Sequence, residues 1–152
     1  MRIDTDTLVL VADGRKLLLL RNVGTPLIPD LNVEYGEEQP NPPDRDQKSD
    51  AQGQRPSASG LRGQSSAGET DYHQQTEDRF AKHAADLLNQ RALANQIGRV
   101  IVIAAPATLG TLRQNYHGEV KSRIVAEIAK DMTGYSTDRI AQYLAQVEPA
   151  TA

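Results

Sequence analysis

The stretch TLVLVADGRKLLLLR, residues 7–21, decides the fold that we expect for this chain. Two apolar runs flank Asp13 and Gly14, a dipeptide that is typical of the tight type I′ turn between two antiparallel strands. Residues 31–35 then alternate apolar and polar side chains, as a strand at the edge of a sheet does. We therefore expect the chain to begin with a meander of three antiparallel strands.

The second half of the chain alternates helical and strand patterns. Phe80 and Leu87 belong to a series of apolar residues at helical spacing, and Asp71 in front of them is a suitable N-cap. The predicted elements are, in chain order, a helix over 71–96, a strand over 99–104, a helix that starts at Pro106, a strand over 121–130 and a helix capped by Ser136. The β-branched run 99–104 should be the middle of the sheet. Residues 121–130 also fit a helix, although we favour the strand.

This order of elements, β-β-β-α-β-α-β-α, predicts an α/β fold with a mixed five-stranded sheet. It is the ribonuclease-H-like order, which domains of the translational machinery also show. A chain of 152 residues suits one hydrophobic core, so we expect a single domain over 1–148 and a tail at 149–152. The polar segment 36–70 should form a long loop, and its composition leaves both a functional and a disordered loop open.

Charge and composition exclude several classes of protein. The chain has no cysteine, which excludes disulfides and thiolate metal sites and favours a reducing compartment. No apolar run is long enough to span a bilayer and no signal-type leader opens the chain, so we expect a cytoplasmic protein with no membrane partner. The net charge of −3 argues against DNA as a partner, and contact with RNA would need a local basic patch.

One basic patch is predicted near the last strand. Its residues are Arg113, His117, Lys121, Arg123 and Lys130. These side chains could contact an RNA backbone. A solvated protein surface explains the same residues, because the aromatic residues that would stack on bases are only 4% of the chain.

A metal-dependent nuclease is not predicted, although nucleases with this order of elements hold two cations between carboxylates. The acidic residues that would supply ligands are Asp4, Asp6, Glu77 and Asp78. The fourth strand, however, is followed by Ala105 and Pro106, which offer no side-chain oxygen. The three histidines are dispersed along the chain. We therefore expect no metal and no cofactor.

Four blocks of sequence follow one another in an order that is known from a bacterial family. They are 9–14 (VLVADG), 78–81 (DRFA), 102–113 (VIAAPATLGTLR) and 127–134 (EIAKDMTG). In these blocks, which cover nearly the whole chain, it resembles the family named protein required for attachment to host cells. That family is similar to the middle domain of the archaeo-eukaryotic class-one peptide release factors, in which a Gly-Gly-Gln loop precedes a long helix.

The resemblance also implies an activity and partners. Gly63 and Gln64 stand where the release factors carry their loop, which implies that this pair is catalytic: the glutamine backbone amide would stabilise the departing tRNA hydroxyl while water attacks the ester. Arg62 replaces the first glycine and would bind a tRNA phosphate. The implied partners are the ribosome or tRNA, and the implied activity is peptidyl-tRNA hydrolysis or ribosome rescue. The alternative is a non-catalytic binding module that affects attachment to host cells indirectly, and the oligomeric state stays open.

Overall fold

The structure, a computed structural model, describes residues 1–39 and 62–147, and it describes the side chains of all of these except 62–71. The strands in this part of the chain are β1 (Leu8–Ala12), β2 (Lys16–Asn22), β3 (Leu31–Glu38), β4 (Val100–Ala104) and β5 (Ile124–Ala129). The helices are α1 (Arg62–Leu93), α2 (Pro106–Asn115), α3 (Gly118–Lys121) and α4 (Thr137–Gln146). Within 1–39 and 62–147, no helix is long and apolar enough to cross a membrane.

The strands form one mixed sheet in the order β3-β2-β1-β4-β5. β1 pairs antiparallel with β2 and β2 with β3, whereas β1 pairs parallel with β4 and β4 with β5. The predicted α/β class, the mixed five-stranded sheet and the ribonuclease-H-like order are confirmed. The prediction that β4 is the middle strand is wrong, because β1 lies there. Both strands are buried along their whole length, so a continuous apolar run does not distinguish the central strand from its neighbour.

Apolar side chains cover the two faces of the sheet in separate clusters. The cluster on the side of α1 and α2 includes Leu10, Leu19, Phe80, Leu88 and Leu112. The cluster on the side of α4 includes Val9, Val11, Ile103, Ile140 and Leu144. Successive residues of β1 alternate between the clusters because side chains of a strand point to opposite faces. Burial of each large side chain contributes about 1.5–3 kcal/mol, so the sheet is stabilised from both sides.

The hairpin between β1 and β2 is confirmed, but its predicted type I′ turn is wrong. The backbone of Gly14 does not adopt the positive φ that such a turn requires. Oδ1 of Asp13 instead accepts hydrogen bonds from the backbone N–H groups of Arg15 at 2.8 Å and Lys16 at 2.7 Å. A Cβ atom at position 14 would lie 2.7 Å from Cγ of Glu77, so glycine is needed here for the close approach of α1.

β3 and α1 both extend into the segment that was predicted to be a loop over 36–70. β3 runs to Glu38, which still pairs with Lys16, and α1 begins at Arg62, well before the predicted N-cap Asp71. The sequence from Arg62 to Asp71 contains no proline, so nothing in it interrupts a helix. Apart from Gln39, the described part of the predicted loop therefore belongs to a strand and a helix, whereas 40–61 lie outside the described residues.

The elements after α1 follow the prediction with one addition. Ser136 caps α4, as predicted, and its Oγ accepts a hydrogen bond from the N–H of Arg139 at 3.2 Å. The strand predicted over 121–130 is β5, but the short helix α3 precedes it. The sequence analysis missed α3 because a single helical turn is too short to show an apolar period. The predicted tail at 149–152 lies outside the described residues.

Candidate functional site

The long helix α1 runs antiparallel to β1 along one face of the sheet. Towards its C-terminal end, Nη1 of Arg91 lies 2.8 Å from Oε2 of Glu34 in β3. Closer to its start, Glu77 lies against Gly14, directly beyond the end of β1. The first turn of α1 therefore lies beyond the end of the sheet at which β1 terminates. At a rise of about 1.5 Å per residue, Gln64 lies about 20 Å from Glu77 along the helix axis.

The three residues predicted to act on tRNA form the first turn of α1. Arg62, Gly63 and Gln64 are helical and do not form a loop, which corrects the sequence prediction. This placement matters for the backbone, because the first four N–H groups of an α-helix have no acceptor within the helix. The N–H of Gln64 is one of them, and it lies at the positive end of the helix dipole. A catalytic role for Gly63 and Gln64 stays a prediction.

Two carboxylates of β3 hold the packed part of α1 in place. Glu34 bonds to Arg21 of β2 and to Arg91 of α1, and these hydrogen bonds, the one from Arg21 above all, lower the pKa of Glu34. Oε2 of Glu37 lies 3.0 Å from Nε2 of His83. We call Glu34 and Glu37 with their partners on α1 the β3 anchor. The direction of α1 is therefore set by polar contacts to the edge strand as well as by the apolar core.

A cleft of about 520 Å³ lies at the C-terminal ends of the parallel strands, where open α/β sheets commonly bind ligands. We call it the acidic cleft, because the charged residues that line it are Asp13, Arg15, Lys16, Glu38, Glu77 and Asp131. Oγ1 of Thr133 lies 2.8 Å from Oδ2 of Asp13 and 2.9 Å from Oδ1 of Asp131. The hydroxyl thus joins the end of β1 to the segment that follows β5.

The sequence analysis missed Asp131 and Thr133 and interpreted Asp13 as a turn residue alone. The positions of Asp13 and Asp131 in the sequence could have indicated this site. Both residues closely follow predicted strands, and parallel strands end at the same edge of a sheet. Among the side chains that the structure describes, no three of the metal-binding types are grouped closely enough to hold an ion.

Three of the basic residues predicted to bind RNA contact other groups of the protein and do not line one groove together with the other two. Nη1 of Arg123 lies 2.9 Å from Oε2 of Glu119. Nδ1 of His117 accepts the hydrogen bond that caps α3, from the N–H of Glu119 at 3.0 Å. Lys130 follows the other end of β5, and its Nζ lies 4.4 Å from the ring centre of Tyr143 in α4.

Arg113 and Lys121, by contrast, come together. They line a groove of about 300 Å³ between α2, α3 and β5, which we call the basic groove and which is lined by Arg113, Tyr116, Lys121, Ile124 and Glu127. Nε of Arg113 lies 3.0 Å from Oε1 of Glu127. The sequence analysis did not assign Tyr116 or Glu127 to a site, because the helical spacing of Tyr116 is also that of a core residue. Binding of RNA by Arg113 and Lys121 stays a prediction.

A protein-family model matches nearly the whole of the described fold. It is the model of bacterial archaeo-eukaryotic release factor family 12, and it matches residues 6–144. None of the curated proteins matches the chain. The family supports the release-factor part of the resemblance seen in the sequence, and it does not support the host-attachment part.

Proposed function

We propose that this chain, which belongs to bacterial archaeo-eukaryotic release factor family 12, acts on the translation machinery in the cytoplasm. In this proposal its partner is the ribosome or a peptidyl-tRNA, and its reaction is hydrolysis of the ester between the peptide and the tRNA. The observation that carries the proposal is the family match, which spans residues 6–144 and so includes Gly63 and Gln64.

The proposed reaction uses water and the start of α1. A water oxygen bonds to the carbonyl carbon of the ester, the bond from that carbon to the ribose oxygen breaks, and the ribose oxygen takes a proton from water. The backbone N–H of Gln64 would stabilise the negative charge that develops on the ribose oxygen. Two properties of a helix start support this role, namely donors with no acceptor inside the helix and a dipole that favours negative charge. Gly63 has no side chain that would hinder the approach of the ribose.

Basic residues would bind the RNA in this proposal. Arg62 would bind a tRNA phosphate beside the ester, and Arg113 and Lys121 would contact the RNA backbone. Arg113 is also paired, with Glu127 through Nε, and would use its other N–H groups. The contacts of His117, Arg123 and Lys130 lie outside the basic groove.

Release of peptide from purified peptidyl-tRNA on ribosomes tests the proposed reaction. Gln64→Pro removes the backbone N–H, and proline is tolerated in the first turn of a helix. We expect this variant to release peptide at least roughly tenfold more slowly than the wild type, as the loss of one oxyanion donor does in other enzymes. Gln75→Ala is the matched control, because it truncates an exposed glutamine further along α1, and it should release peptide at the wild-type rate.

Equal release rates for the wild type and Gln64→Pro would contradict catalysis by this amide. Cosedimentation with ribosomes, measured on the same samples, separates binding from chemistry. Cosedimentation without release would favour the alternative, a non-catalytic binding module.

A further inference from the structure

The basic groove contains a buried polar group that has no hydrogen-bond partner among the described residues. Tyr116 directly follows α2 and is only 8% exposed. Its hydroxyl is buried and has no hydrogen-bond partner within 1–39 and 62–147. An unpaired buried hydroxyl is costly, and most buried polar groups in proteins have a partner. A ligand that accepts a hydrogen bond from Tyr116 would remove this cost.

One side chain of α1 holds the backbone on both sides of Tyr116. Nδ2 of Asn89 donates a hydrogen bond to the carbonyl oxygen of Asn115 at 3.0 Å. Oδ1 of Asn89 accepts a hydrogen bond from the N–H of His117 at 2.8 Å. The backbone position of Tyr116 is therefore fixed before any ligand binds, which lowers the entropy that binding costs.

Charged groups of both signs lie beside Tyr116. Burial, and after it the Glu127 carboxylate, raise the pKa of the Tyr116 hydroxyl, whereas Arg113 acts in the opposite direction. The hydroxyl is therefore protonated at neutral pH and available as a donor, and it lies within the electrostatic reach of both charged residues. Within the described part of the chain Glu127 pairs with Nε of Arg113. The other guanidinium N–H groups and the Lys121 ammonium group can attract negative charge at the groove that both residues line.

We propose that the basic groove binds a phosphate ester, with the Tyr116 hydroxyl donating a hydrogen bond to a phosphate oxygen and Arg113 and Lys121 supplying the positive charge. The groove volume of about 300 Å³ and the apolar side chain of Ile124 leave room for the sugar next to the phosphate. A phosphate in an RNA backbone and the phosphate of a free nucleotide share this chemistry. Binding of a phosphate in RNA rests on the proposed function, whereas binding of a free nucleotide does not depend on it.

Isothermal titration calorimetry with the full chain tests this site. The probes are hexa-adenylate RNA and adenosine 5′-monophosphate, each added to the wild type, Tyr116→Phe and Lys121→Gln. We expect the wild type to bind at least one probe, and Tyr116→Phe to bind it roughly tenfold more weakly, as the loss of a hydrogen bond to a charged group predicts. The controls, Tyr72→Phe and Lys82→Gln, make the same changes at exposed positions of α1 and should bind like the wild type.

Binding of hexa-adenylate would support the site with RNA as the source of the phosphate, and binding of adenosine 5′-monophosphate alone would support it with a free nucleotide. Binding of neither probe, or equal affinities for the wild type and Tyr116→Phe, would overturn the proposal. Tyr116→Phe should also unfold at a higher temperature, because it no longer buries an unpaired hydroxyl, so weaker binding would not reflect unfolding. Peptide release by the Gln64→Pro variant is a separate measurement, so the failure of one proposal is distinguishable from the failure of the other.

Discussion

The acidic cleft and the basic groove are both lined by charged residues, yet their hydrogen bonding differs. Beside the acidic cleft, the Thr133 hydroxyl lies between Asp13 and Asp131, which line it, and Asp13 also accepts two backbone hydrogen bonds. In the basic groove, the Tyr116 hydroxyl has no partner among the residues that the structure describes. Charged residues that line a cavity can therefore be bonded within the fold, as Asp13 and Asp131 are, whereas the Tyr116 hydroxyl is not.

Of the stability changes that test the two sites, the largest is expected from Asn89→Ala. The substitution removes both hydrogen bonds that hold the backbone around Tyr116 and leaves the Asn115 carbonyl and the His117 N–H without these partners. We expect a loss of about 2–3 kcal/mol in the free energy of unfolding, measured with urea. Gln90→Ala changes the exposed neighbouring residue and should have little effect. A similar loss in both variants would show that Asn89 has no special role.

A smaller effect is expected in the acidic cleft from Thr133→Val. The change keeps the shape of the side chain but removes the hydroxyl that separates the Asp13 and Asp131 carboxylates. At pH 7 we expect a loss of about 1–2 kcal/mol in the free energy of unfolding, because the two carboxylates lose a shared partner. Thr133→Ser retains the hydroxyl and should keep most of the stability. If Thr133→Val were as stable as the wild type, the cleft would not be a satisfied network.

The β3 anchor differs from the acidic cleft and the basic groove, because its paired side chains are partly exposed. The folded pKa of Glu34 is lowered, chiefly by the hydrogen bond from Arg21. Its contribution to stability is therefore fully present above the unfolded pKa of about 4.3 and is lost as the pH falls through the folded pKa. We expect Glu34→Gln to cost less than about 1 kcal/mol at pH 7.

Urea unfolding at several pH values measures the effect of Glu34→Gln. The difference between this variant and the wild type should shrink as the pH is lowered below about 4.3. Asp86→Asn is the control, since it removes an exposed carboxylate of α1. A difference that stays constant from pH 7 to pH 3 would contradict the assigned ion pairs.

An effect of similar size but opposite sign is expected from Tyr116→Phe without ligand. Loss of the unpaired hydroxyl should raise the free energy of unfolding by about 0.5–1 kcal/mol, measured with urea. Thr133→Val is the contrasting variant, because it removes a hydroxyl that has partners. A loss of stability in both variants would break the distinction between the acidic cleft and the basic groove.

Much of the fold could be predicted from the sequence, because local patterns decide it. The two runs within 7–21 predict the hairpin, the run 99–104 predicts a buried strand, and Ser136 predicts the start of α4. The turn at Gly14 was predicted wrongly because an Asp-Gly pair is compatible with more than one turn, and here the Asp13 side chain bonds to the N–H groups of Arg15 and Lys16.

The candidate sites were harder to predict, since their contacts join distant parts of the chain. Asn89 and His117 are 28 positions apart, and Thr133 and Asp13 are 120 apart. The sequence analysis grouped five basic residues by their proximity in the chain, whereas the fold brings only Arg113 and Lys121 of that group into the basic groove. Polar residues at such separations show no period from which their pairing could be inferred.

The β3 anchor fixes the direction of α1 at contacts that lie far from the first turn of the helix. A tilt of about 3° at Glu77 would displace Gln64 by about 1 Å, because the two residues lie about 20 Å apart along the helix. Displacements of about 1 Å can cost an enzyme roughly a hundredfold in rate. The edge strand would therefore govern the geometry of the proposed reaction without approaching the tRNA, and substitutions in β3 would slow peptide release while leaving the chemistry of Gln64 itself unaltered.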